Sequence, residues 1–179
     1  MRIVLSGNAG CGKTTVGKLL AERLNIEFLS VGQICREKAL ALGMDINQFQ
    51  EYLKTNNEFD KAIDSCIAEH ARSLQNYVLD YRLGFFFLPE SFKVFLKVSD
   101  EVAVSRISNR NGADENLSSG HPRELVLLLK RRNELMRQRF IKVYNADFID
   151  ERNYDLVLDT NQLAPEDIMN EIIEALRVN

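Results

Sequence analysis

The 179-residue chain has only three cysteines, Cys11, Cys35 and Cys66, scattered and without CxxC or other metal-type spacing. An odd set of dispersed thiols argues against a disulfide framework and for a reducing compartment. No basic segment followed by a long apolar run opens the chain, so no secretory signal is expected. The longest apolar runs, such as Leu125–Leu129, fall far short of a membrane span. Positive charge is not in excess either: 23 Lys and Arg against 26 Asp and Glu give a net charge of −3. That balance argues against a broadly basic nucleic-acid surface and equally against a disordered acidic tail. Internal repeats and low-complexity linkers are also lacking. The expectation is one cytoplasmic, monomeric globular domain over residues 1–179, with no nucleic-acid or membrane partner.

Short apolar runs alternate with longer helical patterns. Ile3–Leu5, Ile26–Leu29, Tyr77–Asp80, Phe92–Val98 and Leu156–Leu158 read as strands. Between them, helical spacing covers Lys13–Leu24, Val31–Leu42, Asp45–Lys54, Glu58–Leu74, Asp100 to about Arg110, and Arg123 to about Asn145. A final helix starts at Pro165. Ser30 is placed to cap the helix that Gly43 stops. Asn111–Pro122, rich in Asn, Ser and Gly, reads as a surface loop. Strands alternating with helices predict an α/β fold with a five-stranded parallel sheet covered on both faces. Ligands of such sheets bind beyond the carboxyl ends of the strands.

The segment after the first strand is Gly7-Asn8-Ala9-Gly10-Cys11-Gly12-Lys13-Thr14, followed by Thr15. It matches the phosphate-loop pattern G-x-x-x-x-G-K-[ST] at every fixed position, with a strand before it and a helix after it. Glycines allow the backbone to ring a phosphate with N–H groups, and the helix start adds its positive dipole end. These nine residues are the candidate ATP-binding set, with Lys13 reaching the β- and γ-phosphates and the Thr14 hydroxyl a Mg²⁺ ligand. Asp80, at the end of an apolar strand, is a second candidate ligand for Mg²⁺. The Cys11 thiol would lie near the phosphates, although its backbone N–H is the main contribution.

Five further segments narrow the reading. They are Phe28-Leu29-Ser30-Val31-Gly32-Gln33-Ile34-Cys35-Arg36; Val78-Leu79-Asp80-Tyr81-Arg82-Leu83-Gly84; Arg106 and Arg110, one helical turn apart; Arg131, Arg132, Arg137 and Arg139; and Asp159 to Pro165. With the phosphate loop, they resemble the nucleoside-monophosphate kinases, and most closely the cytidylate kinases, over nearly the whole chain. The resemblance implies a three-layer P-loop kinase fold with an inserted helical acceptor-binding region at about 30–75 and a lid at about 109–139. It implies an enzyme that uses Mg²⁺ and ATP to phosphorylate a nucleoside monophosphate, CMP or dCMP. In that family Arg36 and Arg82 fall on arginines that grip the acceptor, and Ser30 lies near the acceptor's phosphate or sugar. Arg106 would stack on the adenine, Arg110 would contact phosphates, and Asn161 would lie at the base edge. Arg132 and Arg139, two turns apart on one helix face, match lid arginines that stabilise the charge of the transferring phosphoryl group.

The sequence also departs from that family. Tyr81 replaces a small Gly, Leu83 stands where bacterial members often carry Asp, and Phe85–Phe87 is bulky. Most of these aromatics read as core. An acceptor contact by Asp60 is implied by the resemblance, yet Asp60 and Asp64, one turn apart, read more simply as a solvated face. His70 and His121 have no assigned role. Two competing readings stay open. Gly12–Leu24 is also close to shikimate kinases, though no acid follows the second strand; an adenylate kinase would carry a longer lid. A regulatory nucleotide-binding module without turnover is the other alternative. Charge is segregated: His121–Lys142 holds seven basic residues against two acids, a local +5, so the remainder carries −8. An acidic body with one arginine-dense segment suits a small polyanion in a cleft.

Overall fold

In the computed structural model the described residues are 1–109 and 121–178. Five strands, β1 (Arg2–Gly7), β2 (Glu27–Ser30), β3 (Tyr77–Asp80), β4 (Phe92–Lys97) and β5 (Leu156–Asp159), form one sheet in the order β2-β3-β1-β4-β5. All neighbours pair in parallel. The helices are α1 (Lys13–Leu24), α2 (Val31–Ala41), α3 (Ile46–Thr55), α4 (Asn57–Ser73), α5 (Gly84–Phe87), α6 (Asp100–Ser108), α7 (Pro122–Tyr144) and α8 (Pro165–Val178), with one 3-10 turn at Glu151–Asn153.

β1 lies at the centre because it can be buried on both sides: Ile3, Val4 and Leu5 are fully inaccessible. Their side chains alternate, as a strand requires. Val4 joins a core with Phe49, Leu53, Ile63 and Ile67 from α3 and α4. Ile3 and Leu5 join the opposite core, with Val16 and Leu20 of α1 and Ile168 and Ile172 of α8. A smaller cluster, Ala103, Val104 and Ile107 with Leu125 and Leu129, packs α6 against α7. Ser30 and Ser99 accept from the backbone N–H of Gln33 and Val102, each at 3.4 Å, and so start α2 and α6.

The expected strands and helices are all present, with ends moved by one or two residues. The helix expected to run to about Arg110 ends at Ser108 among the described residues, and Arg110 itself lies outside them. One element was not anticipated. The aromatic stretch after β3 coils into the short helix α5, whose first residue presses against the sheet. A side-chain carbon on Gly84 would fall 2.1 Å from Val4 Cγ1. Gly84→Ala therefore has to push β1 and α5 apart. We expect a loss of about 1–3 kcal/mol, typical of overpacking, read as a lower midpoint in urea unfolding with an unchanged slope.

Candidate active site

All the strands point their carboxyl ends the same way, so the segments following them gather at one edge of the sheet. The loop Asn8–Gly12 follows β1 and is held open by backbone that only glycine adopts freely: φ is +82° at Gly10 and +99° at Gly12. Gly10 also packs directly on α6, with a hypothetical side-chain carbon 2.8 Å from Ala103. Lys13, 8% exposed, donates from Nζ to the carbonyls of Gly7 (2.8 Å) and Asn8 (2.9 Å), and meets Cys11 Sγ at 3.4 Å. Burial lowers the Lys13 pKa; Cys11 and Asp80 oppose that shift and Arg82 adds to it. Cys11 is fully buried. Thr15 is exposed at the start of α1.

Asp80 is the junction of the site. Its Oδ2 accepts from Thr14 Oγ1 at 2.7 Å and from Ser30 Oγ at 3.5 Å. Ser30 and Asp80 are register partners of β2 and β3, which is why they arrive level. Ser30 and Arg36 in turn share the space above Gly32. A side-chain carbon there would lie 3.6 Å from Arg36 Nη1 and 3.9 Å from Ser30 Oγ. Arg36 is exposed and donates to Gln33 Oε1 at 3.2 Å.

Next to Asp80 the cations converge. Arg82 is partly buried, and its Nε has no hydrogen-bond partner among the described residues. Burial lowers its pKa, Asp80 opposes this, and the neighbouring Arg132 and Arg139 lower it further. Arg132 and Arg139 of α7 thus lie near Arg82. A buried guanidinium with an unpaired Nε beside two further guanidiniums is a site made for an anion. The Asn8 side-chain oxygen is another buried atom with no partner there. Thr14 and Asp80 supply hard oxygens suited to Mg²⁺, which uses one or two protein ligands together with substrate phosphates. Among the described residues no group of three or more His, Cys, Asp or Glu is placed to hold a metal alone.

Beyond β5, Arg106 Nη1 donates to Thr160 Oγ1 at 3.1 Å and Nη2 to the Thr160 carbonyl. Thr160 Oγ1 lies 3.3 Å from the Cys11 carbonyl. Arg106 is therefore beside the phosphate loop and one residue from Asn161. The Asn161 side-chain oxygen accepts from the Ser99 N–H at 2.9 Å, so this atom serves the turn. The side chain of Asp60 lies outside what is described, as does Arg110.

One expectation is overturned. Asp64 is not on a solvated face: it is 6% exposed and its two oxygens accept from Tyr81 and Tyr144, both at 2.6 Å. The partner on α7 is 80 residues away, and helical spacing carries no sign of it. The core reading of the bulky segment holds for Tyr81 (4% exposed) and Leu83 (0%), whereas Phe86 is 44% exposed. Three more features were not anticipated. Tyr154 Oη bonds to Ser6 Oγ (2.9 Å) and the Phe148 carbonyl, while Ser6 Oγ bonds to the Arg82 carbonyl at 3.1 Å. This relay fixes the backbone of Arg82, and burial pushes the Tyr154 hydroxyl pKa well up. Asn133, buried one residue after Arg132, has neither amide atom hydrogen-bonded among the described residues. Finally, His121 accepts from Arg123 N and so starts α7.

A strand-edge phosphate loop with an acid on the neighbouring strand defines a P-loop phosphotransferase fold. The relatives agree with this. The model of the cytidylate kinase-like family matches residues 2–162. The chain is 34% identical to a cytidylate kinase of Methanobrevibacter smithii, covering 99% of both chains. It is 45% identical over 97% of its length to an S-adenosylmethionine-dependent nucleotide dehydratase of Lacinutrix mariniflava. It spans only 35% of that relative's length. A shikimate kinase from Bacteroides thetaiotaomicron shares the fold, with a TM-score of 0.66 at 17% identity over 99% of this chain and 98% of that one. The chain belongs to the cytidylate kinase-like family. Among the described residues no helix is long and apolar enough to cross a membrane.

Arg137 is engaged by an acid, bonding Asp147 through Nε (2.9 Å) and Nη2 (2.6 Å). Hydrogen bonding to Arg137 holds the Asp147 carboxyl below its ordinary range. A depressed carboxyl stabilises the fold above its unfolded pKa of about 3.9, and the benefit fades as pH falls. The side chains are 35% and 29% exposed, so water screening limits the pair to about 1 kcal/mol or less. Arg137→Ala should lower the melting temperature at neutral pH. The gap to the parent protein should narrow as the pH drops below about 4.

Proposed function

We propose that the chain, as a single P-loop kinase domain, transfers the γ-phosphoryl group of ATP to CMP or dCMP. One observation carries this: Asp80 touches Thr14 on the donor side and Ser30 on the acceptor side, and Ser30 shares its space with Arg36. One carboxylate thus spans the two phosphates that have to meet in line. The acceptor's phosphate oxygen attacks the γ-phosphorus, the bond to the β-phosphate oxygen breaks, and ADP leaves with a nucleoside diphosphate as the other product.

In this reading Gly7–Thr15 cradles the donor, Lys13 bridges its terminal phosphates, and Thr14 with Asp80 holds Mg²⁺. When bound, the ion neutralises charge on the donor phosphates. Ser30, Arg36 and Arg82 bind the acceptor's phosphate, within a helical region at about 30–75. Arg132 and Arg139, from a lid at about 109–139, meet the charge that develops on the equatorial oxygens, and Arg110 is assigned to the same task. Arg106 and Asn161 mark the adenine end, and Asp60 belongs to the acceptor side. The buried, unpaired Nε of Arg82 supports anion binding over a purely structural role.

The test is nucleotide consumption against a panel of nucleoside monophosphates and shikimate. CMP and dCMP should be turned over best; ATP binding with no turnover on any acceptor would favour the regulatory alternative. Lys13→Ala should lower kcat by about 100-fold or more while far-UV circular dichroism stays unchanged. A variant with the parent's rate would defeat the proposal.

A second reading concerns the product. The Lacinutrix mariniflava relative joins a segment like this chain to a longer protein named as a nucleotide dehydratase. This favours a role in supplying a phosphorylated nucleotide to such an enzyme. Nucleotide made by this chain should then be consumed when a nucleotide dehydratase and S-adenosylmethionine are added; an untouched product would count against the link.

A further inference from the structure

Asp64 lies outside the phosphate loop, yet three parts of the site meet at it. Its Oδ1 accepts from Tyr81, the residue between Asp80 and Arg82. Its Oδ2 accepts from Tyr144, the last residue of α7. Arg139, five positions earlier on the same helix, is close enough to favour the charged form of Asp64. Tyr144 also packs edge-on against Phe87, whose ring stacks on Tyr81, so both hydroxyls are held by one aromatic cluster.

We propose that Asp64 is a positioning residue for phosphate binding: through Tyr81 and Tyr144 it fixes the separation of Arg82 and Arg139. This rests on the reading of those arginines as phosphate ligands. The physical need is plain. Arg132 and Arg139 lie near enough to Arg82 to disfavour its charge, and Asp80 lies near enough to favour it. Like charges lose least by separating, so arginines on α7 and after β3 keep their spacing where a contact ties the two segments together. Asp64 supplies such a contact from α4. Each of its oxygens meets a separate tyrosine hydroxyl at 2.6 Å, one from each segment. Burial raises the Asp64 pKa, and the two tyrosines and Arg139 counter only part of that rise. Because α4 belongs to the proposed acceptor region, the same contact ties that region to the arginines.

The experiment is a double-mutant cycle of Asp64→Asn and Arg139→Ala, read as the dissociation constant for inorganic tripolyphosphate by calorimetry. In parallel, kcat and the KM for ATP and CMP are measured. Asp64→Asn should weaken tripolyphosphate about tenfold, with nearly no further loss in the Arg139→Ala background. It should raise the KM for CMP and lower kcat more than it changes the KM for ATP. Equal losses in both backgrounds, unchanged binding, or a parent chain that ignores tripolyphosphate would each overturn the proposal. If Asp64→Asn does not fold, Tyr144→Phe carries the cycle, because it removes one hydroxyl and keeps the ring. A parent chain that phosphorylates no nucleoside monophosphate while the cycle holds sinks the proposed function alone. Turnover of CMP with an additive cycle sinks the Asp64 role alone.

Discussion

The crowding of cations near Arg82, with Lys13 on one side and Arg132 and Arg139 on the other, is the constraint on which this site depends. Partly desolvated cations cannot be crowded together unless carboxylates are placed beside them, and a carboxylate is itself expensive to desolvate. The fold meets this need from opposite sides. Asp80 rides on the central sheet, where strand pairing fixes its height to that of Ser30. Asp64 rides on α4 and reaches the cluster through two tyrosines. Neither acid would be in place without the core packed on Val4, which joins α3 and α4 to the sheet.

The arrangement also explains a division of labour among residues of one type. Arg132 and Arg139 lie near Arg82, while Arg137, between them in sequence, is locked by Asp147. Arg106 is committed to Thr160 beyond β5. Four arginines therefore have distinct surroundings, set by which partner faces each of them.

Much of this was legible from the chain. The phosphate loop, the strand-end position of Asp80 and the shared face of Arg132 and Arg139 depend on short-range spacing, and short-range spacing is written in the sequence. The parallel sheet followed from the alternation of strands and helices. What escaped were pairings across long separations. Asp64 looks like a solvated acid because Asp60 stands one turn before it, whereas its partners arrive from just after β3 and from the end of α7. Tyr154 and Ser6 lie 148 residues apart and give no local sign of each other. The helix α5 went unnoticed because three consecutive phenylalanines have no amphipathic period; Gly84, by letting the backbone approach Val4, is what turns them into a coil.

The Tyr154–Ser6 bond has a consequence for the order in which the molecule is completed. The contacts that brace the phosphate loop come from residues more than 140 positions further along the chain: Tyr154 on Ser6 and Thr160 on the Cys11 carbonyl. A chain truncated before Tyr154 would present the whole phosphate-binding motif with neither brace. Contacts so far apart along the chain close late. The phosphate loop and its two braces therefore come together only when the segment around β5 has joined the sheet.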